Sequence, residues 1–199
     1  MRLFIAGQKW LARELLTSCT AAGHNVVSVA APSAEDGLAK AAAKLGIQVA
    51  IAPRVLRPAD MPAGIDLILC AHAHCFISAE ARARADMGAL GYHPSLLPRH
   101  RGRDAVRWTI HMREAIAGGT VYWMDDGVDT GPIALQGWCH VRPDDDAGSL
   151  WRRELGPMGL RLFTAALALA AEGRLPRIDQ EEALATWEPG FGASRLARG

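Results

Sequence analysis

Five short segments of this chain are apolar almost without interruption, and stretches of helical periodicity separate them. The apolar segments are Leu3–Ala6, Asn25–Ala31, Ile47–Ala52, Ile65–Ala71 and Ala89–His93. Between them, Trp10, Leu11, Leu15 and Leu16 recur at helical spacing before Gly23. A second helix is predicted from Ser33 through Lys44, stopped by Gly46, and a third from Ser78 to near Gly88. Strands without polar alternation are buried on both faces, which is the condition of a parallel sheet covered by helices. The chain is therefore expected to be α/β, with a mainly parallel twisted sheet flanked by helices in a Rossmann-like arrangement. An active site in such a fold is expected at the carboxyl ends of the strands. His93 stands at one of them.

The rhythm then changes. Arg103–Ala117 is predicted helical, Gly119–Met124 and Ile133–Val141 as strands, and Asp125–Pro132 as the loop between them. Asp144, Asp145 and Asp146 precede a helix running to about Ala171, where they serve as capping residues and compensate the helix dipole. Residues 1–171 form the expected catalytic domain. Residues 172–199, with Pro176, Pro189 and four glycines, form an irregular tail.

Composition excludes several classes. With 22 Lys+Arg against 21 Asp+Glu the formal charge is +1, so no nucleic-acid footprint is evident. The apolar start is too short for a signal peptide, and no apolar run is read as a membrane span. Cys19, Cys70, Cys75 and Cys139 lack a CxxC pair and are expected as reduced thiols in a cytoplasmic protein. Cys70, His72 and His74 alternate along a strand, but without a distant further ligand they make a poor metal site, and no metal is expected. GxGxxG is absent, so Gly7–Trp10 is not a dinucleotide fingerprint.

Two segments carry the chemistry. The first is Gly91-Tyr92-His93-Pro94-Ser95-Leu96-Leu97-Pro98, where Pro94 ends the strand and biases His93 to extended geometry. A lone histidine there is as readily structural as catalytic. The second runs from Gly119 to Pro132 and places Asp125, Asp126 and Asp129 in one tight loop, a pattern that turn chemistry alone explains.

Together the two segments resemble the folate-dependent formyltransferase family, which includes methionyl-tRNA, glycinamide ribonucleotide and sugar N-formyltransferases. The family pattern is Asn-x-His-Pro-Ser-Leu-Leu-Pro, followed some thirty-odd residues later by Asp-x-Gly-x-Asp-x-Gly. His93–Pro98 match the first part, and Asp125, Gly127, Asp129 and Gly131 the second; Arg101-Gly102 and Trp108 fit the segment between. The resemblance is close over residues 60–140.

The resemblance implies an enzyme, an N-formyltransferase that moves a formyl group from 10-formyltetrahydrofolate, its co-substrate, to the amine of a small molecule. His93 would stabilise the tetrahedral oxyanion or pass a proton. Asp129 would orient His93 and help deprotonate the amine. The loop containing His74, Cys75, Phe76 and Ile77 would bind the pterin through its backbone, and Asp125, Asp126, Gly127 and Val128 would close over it. Two features argue against the macromolecular and ribonucleotide acceptors. The charge and the absence of a tRNA-binding barrel after Ala171 do not suit tRNA, and the phosphate loop of the glycinamide ribonucleotide enzymes is missing.

One position departs from the family pattern. The catalytic asparagine is replaced by Gly91, which removes a side-chain donor. Loss of one such donor typically costs about 2.7–4 kcal/mol of transition-state stabilisation. Three readings follow: a slower or differently tuned transferase, room for a bulkier or donor-bearing substrate, or a site that hydrolyses or merely binds the formyl-folate. Tyr122 is a candidate replacement hydroxyl. Arg99, Arg101, Arg103 and Arg107 read more readily as a solvated face than as an anion site. The apolar Leu160–Ala171 helix and Trp187 leave a homodimer open.

Overall fold

A computed structural model of the protein describes residues 1–73 and 75–191. In chain order the main elements are β1 (Arg2–Gly7), α1 (Lys9–Ala21), β2 (Asn25–Ala31), α2 (Gly37–Lys44), β3 (Gln48–Ile51), β4 (Val55–Leu56), β5 (Leu67–Ala71), β6 (Phe76–Ile77), α3 (Ala79–Arg82), β7 (Ala89–His93), α4 (Ala105–His111), β8 (Ile116–Trp123), β9 (Ile133–His140), α5 (Ala147–Leu150) and α6 (Gly156–Ala171). The chain divides into two compact units, Met1–Tyr92 with Phe163–Arg174, and His93–Leu162 with Leu175–Gly199.

In the first unit β3, β2, β1, β5 and β7 lie side by side in that order, all parallel. These are the five apolar segments of the sequence, and burial explains the composition of four of them; β3, at the sheet edge, is only partly covered and leaves Ile51 exposed. Leu3, Phe4, Ile5, Leu67, Ile68 and Leu69 are completely excluded from solvent, as are Leu11, Leu15 and Leu16 of α1. Trp10, assigned to the same apolar stripe, stays exposed instead. The carboxyl ends of β1, β2 and β3 frame a small cavity of about 130 Å³ that also touches Ala73 and Cys75.

The second unit is built on the antiparallel pair β8–β9, in register from Ile116 opposite His140 to Tyr122 opposite Ile133. Its core gathers Ala117, Cys139, Leu150, Leu155 and Met158.

Several predicted boundaries shift. The second helix begins at Gly37 rather than Ser33, because Asp36 is the cap: its carboxylate accepts from Leu38 N and from Lys9 N. The helix after Ser78 is a single turn, although Ser78 caps it as its position suggests, accepting from Ala81 N. The helix predicted over Arg103–Ala117 spans only Ala105–His111. Ile116 and Ala117 pair with β9 instead, since a short apolar run fits either state until a partner strand selects one. Asp146 caps α5 through a reciprocal pair of bonds with Ser149. A π-helical turn, Trp151–Leu155, interrupts the helix before α6. The 25-residue helical run Ala147–Ala171 is long and apolar enough, by length and composition alone, to cross a membrane, which differs from the sequence reading. Its apolar residues Leu150, Leu155, Met158, Phe163, Ala166 and Leu167 are used as core.

Candidate active site

Pro94 has no N–H to extend a ladder, so β7 stops at His93 and the loop His93–Arg101 begins. Hydrogen bonds from neighbouring strands hold this loop. Thr120 Oγ1 of β8 donates to Ser95 O (2.7 Å) and accepts from Leu97 N (3.1 Å), and Gln136 Nε2 of β9 donates to Leu97 O (2.9 Å). Ser95 Oγ donates to Arg99 O across the turn (2.6 Å).

The loop turns back so that His93 Nε2 lies 2.7 Å from the backbone carbonyl of His100. A carbonyl only accepts, so Nε2 carries a proton and donates it there. Nδ1 then faces Asp129 Oδ2 at 3.4 Å, with both side chains close to fully buried. The structure thus brings together the two residues singled out from separate motifs. Asp129 is itself held on both oxygens. Oδ2 accepts from Gly102 N (2.8 Å) and Oδ1 from the Tyr122 hydroxyl (2.7 Å). Tyr122 therefore serves the carboxylate rather than replacing the missing asparagine. Gly91 sits two residues before His93 in the buried strand β7, and a glycine brings no donor to the site.

The rest of the acidic loop is turn architecture. Asp125 Oδ1 accepts from Gly127 N (3.0 Å) and Thr130 Oγ1 (2.7 Å). A Cβ on Gly131 would meet Trp123 O at 1.7 Å, so only glycine passes there. Asp126, Gly127 and Val128 are exposed at the tip. Of the predicted pterin loop, His74 lies outside the described residues. Cys75 is partly buried, Phe76 exposes its ring, and Ile77 is fully buried. Phe76 N donates to Arg54 O in the β4–β6 pair (2.9 Å), so that backbone donor is already committed.

Of the arginine stretch, Arg103 and Arg107 are exposed as its composition suggests, and Arg101 is the exception. Arg101 is buried and donates to Gln180 Oε1 (3.1 and 3.0 Å) and to Glu182 (2.9 and 2.8 Å), and it holds the Glu182 carboxyl below its usual range. Arg99 pairs with Glu114. The buried His100 ring lies between Glu114 (3.1 Å) and Glu188, the latter at 2.9 Å but out of line for a hydrogen bond. A cavity of about 420 Å³ opens against Ser95, Leu96, His100, Thr109, Glu114 and Gly118. Its charged members are already paired to one another.

Sequence reasoning missed Gly102, His100 and Gln180. Gly102 left a trace, since Arg101-Gly102 fits the family segment. The roles of His100 and Gln180 depend on a backbone carbonyl and on a long-range contact, and neither leaves a local pattern. Among the described residues no group of three or more His, Cys, Asp or Glu gathers as a metal site. The four cysteines are unpaired, and burial raises each thiol, Cys19 to about 12.

A strand-end histidine facing a loop carboxylate at the carboxyl end of a parallel strand is an arrangement suited to enzymes that move protons at a reacting group. The formyl transferase family profile matches residues 1–157, and the chain belongs to that family. It is 38% identical over 94% of its length to the mitochondrial 10-formyltetrahydrofolate dehydrogenase of Mus musculus, and spans 22% of that relative's length. It is 42% identical to the methionyl-tRNA formyltransferase of Methylacidiphilum infernorum over 101 residues, 51% of this chain and 31% of the relative. Among solved structures, glycinamide ribonucleotide transformylase 1 from Symbiobacterium toebii superposes with a TM-score of 0.76 at 25% identity, covering 90% of this chain and 93% of that one.

Proposed function

We propose that this chain takes the formyl group of 10-formyltetrahydrofolate and transfers it to the amine of a small molecule. The observation that carries the reading is the buried His93–Asp129 pair, with Nε2 tied to a carbonyl and Nδ1 turned to the carboxylate. The amine nitrogen attacks the formyl carbon, and the carbonyl oxygen becomes an oxyanion. With the Nε2 proton committed to His100 O, the donor that His93 offers that charge is a proton on Nδ1, the edge turned to Asp129, and Asp129 takes the proton lost by the amine. Collapse breaks the bond to the folate nitrogen, which receives the proton and leaves as tetrahydrofolate. The kinship to enzymes named for 10-formyltetrahydrofolate supports the co-substrate. The folate contacts are assigned, each on its own, to residues 74–77 and to Asp125–Val128, where Phe76 and Val128 offer exposed apolar surface. A formal charge of +1 supports a small acceptor over tRNA. The unpaired thiols support a cytoplasmic setting.

One observation favours a second reading, in which water is the acceptor. The relatives matched over 94% of the chain are named 10-formyltetrahydrofolate dehydrogenases rather than amine transferases, although the loss of the asparagine donor at Gly91 weakens this reading as much as the first.

The test follows loss of 10-formyltetrahydrofolate with and without a panel of amines. Turnover that depends on an amine supports transfer, and turnover without one supports hydrolysis. Binding with no turnover in either arm sinks both. His93→Ala is expected to abolish turnover while folate affinity stays within about threefold, because the histidine acts on the transition state rather than on ground-state binding.

A further inference from the structure

The tail after Arg174 is more than an irregular end. It returns along the second unit and bonds to the segments that build the site. Ile178 forms a two-bond bridge with Ile133 (2.7 and 3.0 Å), and Thr186 N donates to Pro98 O (3.1 Å). The bridge at Ile178 delivers Gln180 to the Asp129 turn. There the Gln180 amide is fully used. Nε2 donates to Asp129 O (2.9 Å) and Gly131 O (2.7 Å), and Oε1 accepts from Arg101 Nε and Nη2. Two carbonyls on one side and a guanidinium on the other permit only this orientation of the amide.

The turn it grips has an uncommon backbone. Asp129 has φ of +57°, a left-handed conformation that is uncommon for residues with a Cβ and that aspartate reaches more readily than most. A shift of that backbone would move the carboxylate away from His93. We propose that Gln180 is a positioning residue for formyl transfer, holding the Asp129 turn in the conformation that presents its carboxylate to His93. This inference rests on the function proposed above.

Two variants separate positioning from mere anchoring of the tail. Gln180→Glu keeps an acceptor for Arg101 and so preserves that pairing, but its carboxylate has no donor for either carbonyl. Gln180→Met removes donor and acceptor at similar volume. For both, kcat with 10-formyltetrahydrofolate is expected to fall about 10- to 100-fold, the range that a displacement of about 1 Å produces. KM for the folate should stay within about threefold. Hydrogen exchange at the amides of Val128–Gly131 should quicken, with no loss of global fold by circular dichroism. Wild-type kcat in a folded Gln180→Glu variant, a loss confined to KM, or unchanged loop exchange would overturn the inference while wild-type turnover leaves the function intact. A wild-type protein that does not turn over 10-formyltetrahydrofolate overturns both.

Discussion

At the scale of single residues, chemistry concentrates in one short contact set. His93 is oriented by a backbone carbonyl, Asp129 by a backbone N–H and a tyrosine hydroxyl. Such bonds fix direction without spending another charge, and a preorganised donor set stabilises a developing oxyanion more than a mobile one. Gly91, two residues before His93, carries no side-chain donor. Gly91→Asn is expected to raise formyl transfer by roughly a hundred- to a thousand-fold if the missing donor limits the rate. A steady-state comparison of the two proteins decides this, and an unchanged kcat would show that the site works without that donor. His93, Asp129 and Gly91 were all legible in the sequence because they fall within ungapped motifs. Tyr122 was legible only as a hydroxyl without an address. Its partner, Asp129, is seven residues ahead and meets it only because the loop folds back onto β8.

At the scale of elements, caps and turns decide where segments begin and stop. Two of the three consecutive aspartates before α5 divide the work. Asp146 caps the helix, while Asp145, with a side chain only 4% exposed, pairs with Arg153 and accepts from Arg142 N. The Arg153 hydrogen bond is the main reason why the Asp145 carboxyl is lowered from 3.8 to about 2. A carboxyl lowered on folding contributes stability above its unfolded pKa, and that contribution is lost as pH falls through the folded value. Wild type should therefore melt above Asp145→Asn at pH 7, and the gap should close between about pH 4 and pH 2, where Asp145 becomes protonated. Thermal melts of both proteins across that range would show it. A gap that persists unchanged at pH 2 would mean that shape rather than charge is at work. The capping role was readable from Asp before a helical run, but its division between two neighbours was not. Arg153 and Asp145 are eight residues apart, and only the helical turn brings them together.

At the scale of the whole molecule, Phe163 shows what the long helix contributes. It is completely buried and packs its ring 6.3 Å from that of Tyr92. Phe163→Ala should cost about 3–5 kcal/mol, a large share of the roughly 5–15 kcal/mol that holds a folded domain together. Urea unfolding would detect it as a lower midpoint with an unchanged slope. A helix with no packing role would lose less than about 1 kcal/mol. Amino-acid order alone determined the parallel architecture and the identity of the His–Asp pair. Continuous apolar runs suit strands covered on both faces, as in β1, β5 and β7, and two long motifs in the right order carry their own register. The tertiary structure decided the rest. It turned Ile116 and Ala117 from helix to strand by giving them a partner, and it buried Arg101 against the returning tail. It also brought Gln180 to the left-handed turn at Asp129, 51 residues earlier in the chain. These outcomes depend on contacts between distant segments, and no local pattern of side chains encodes the loop closures that create them.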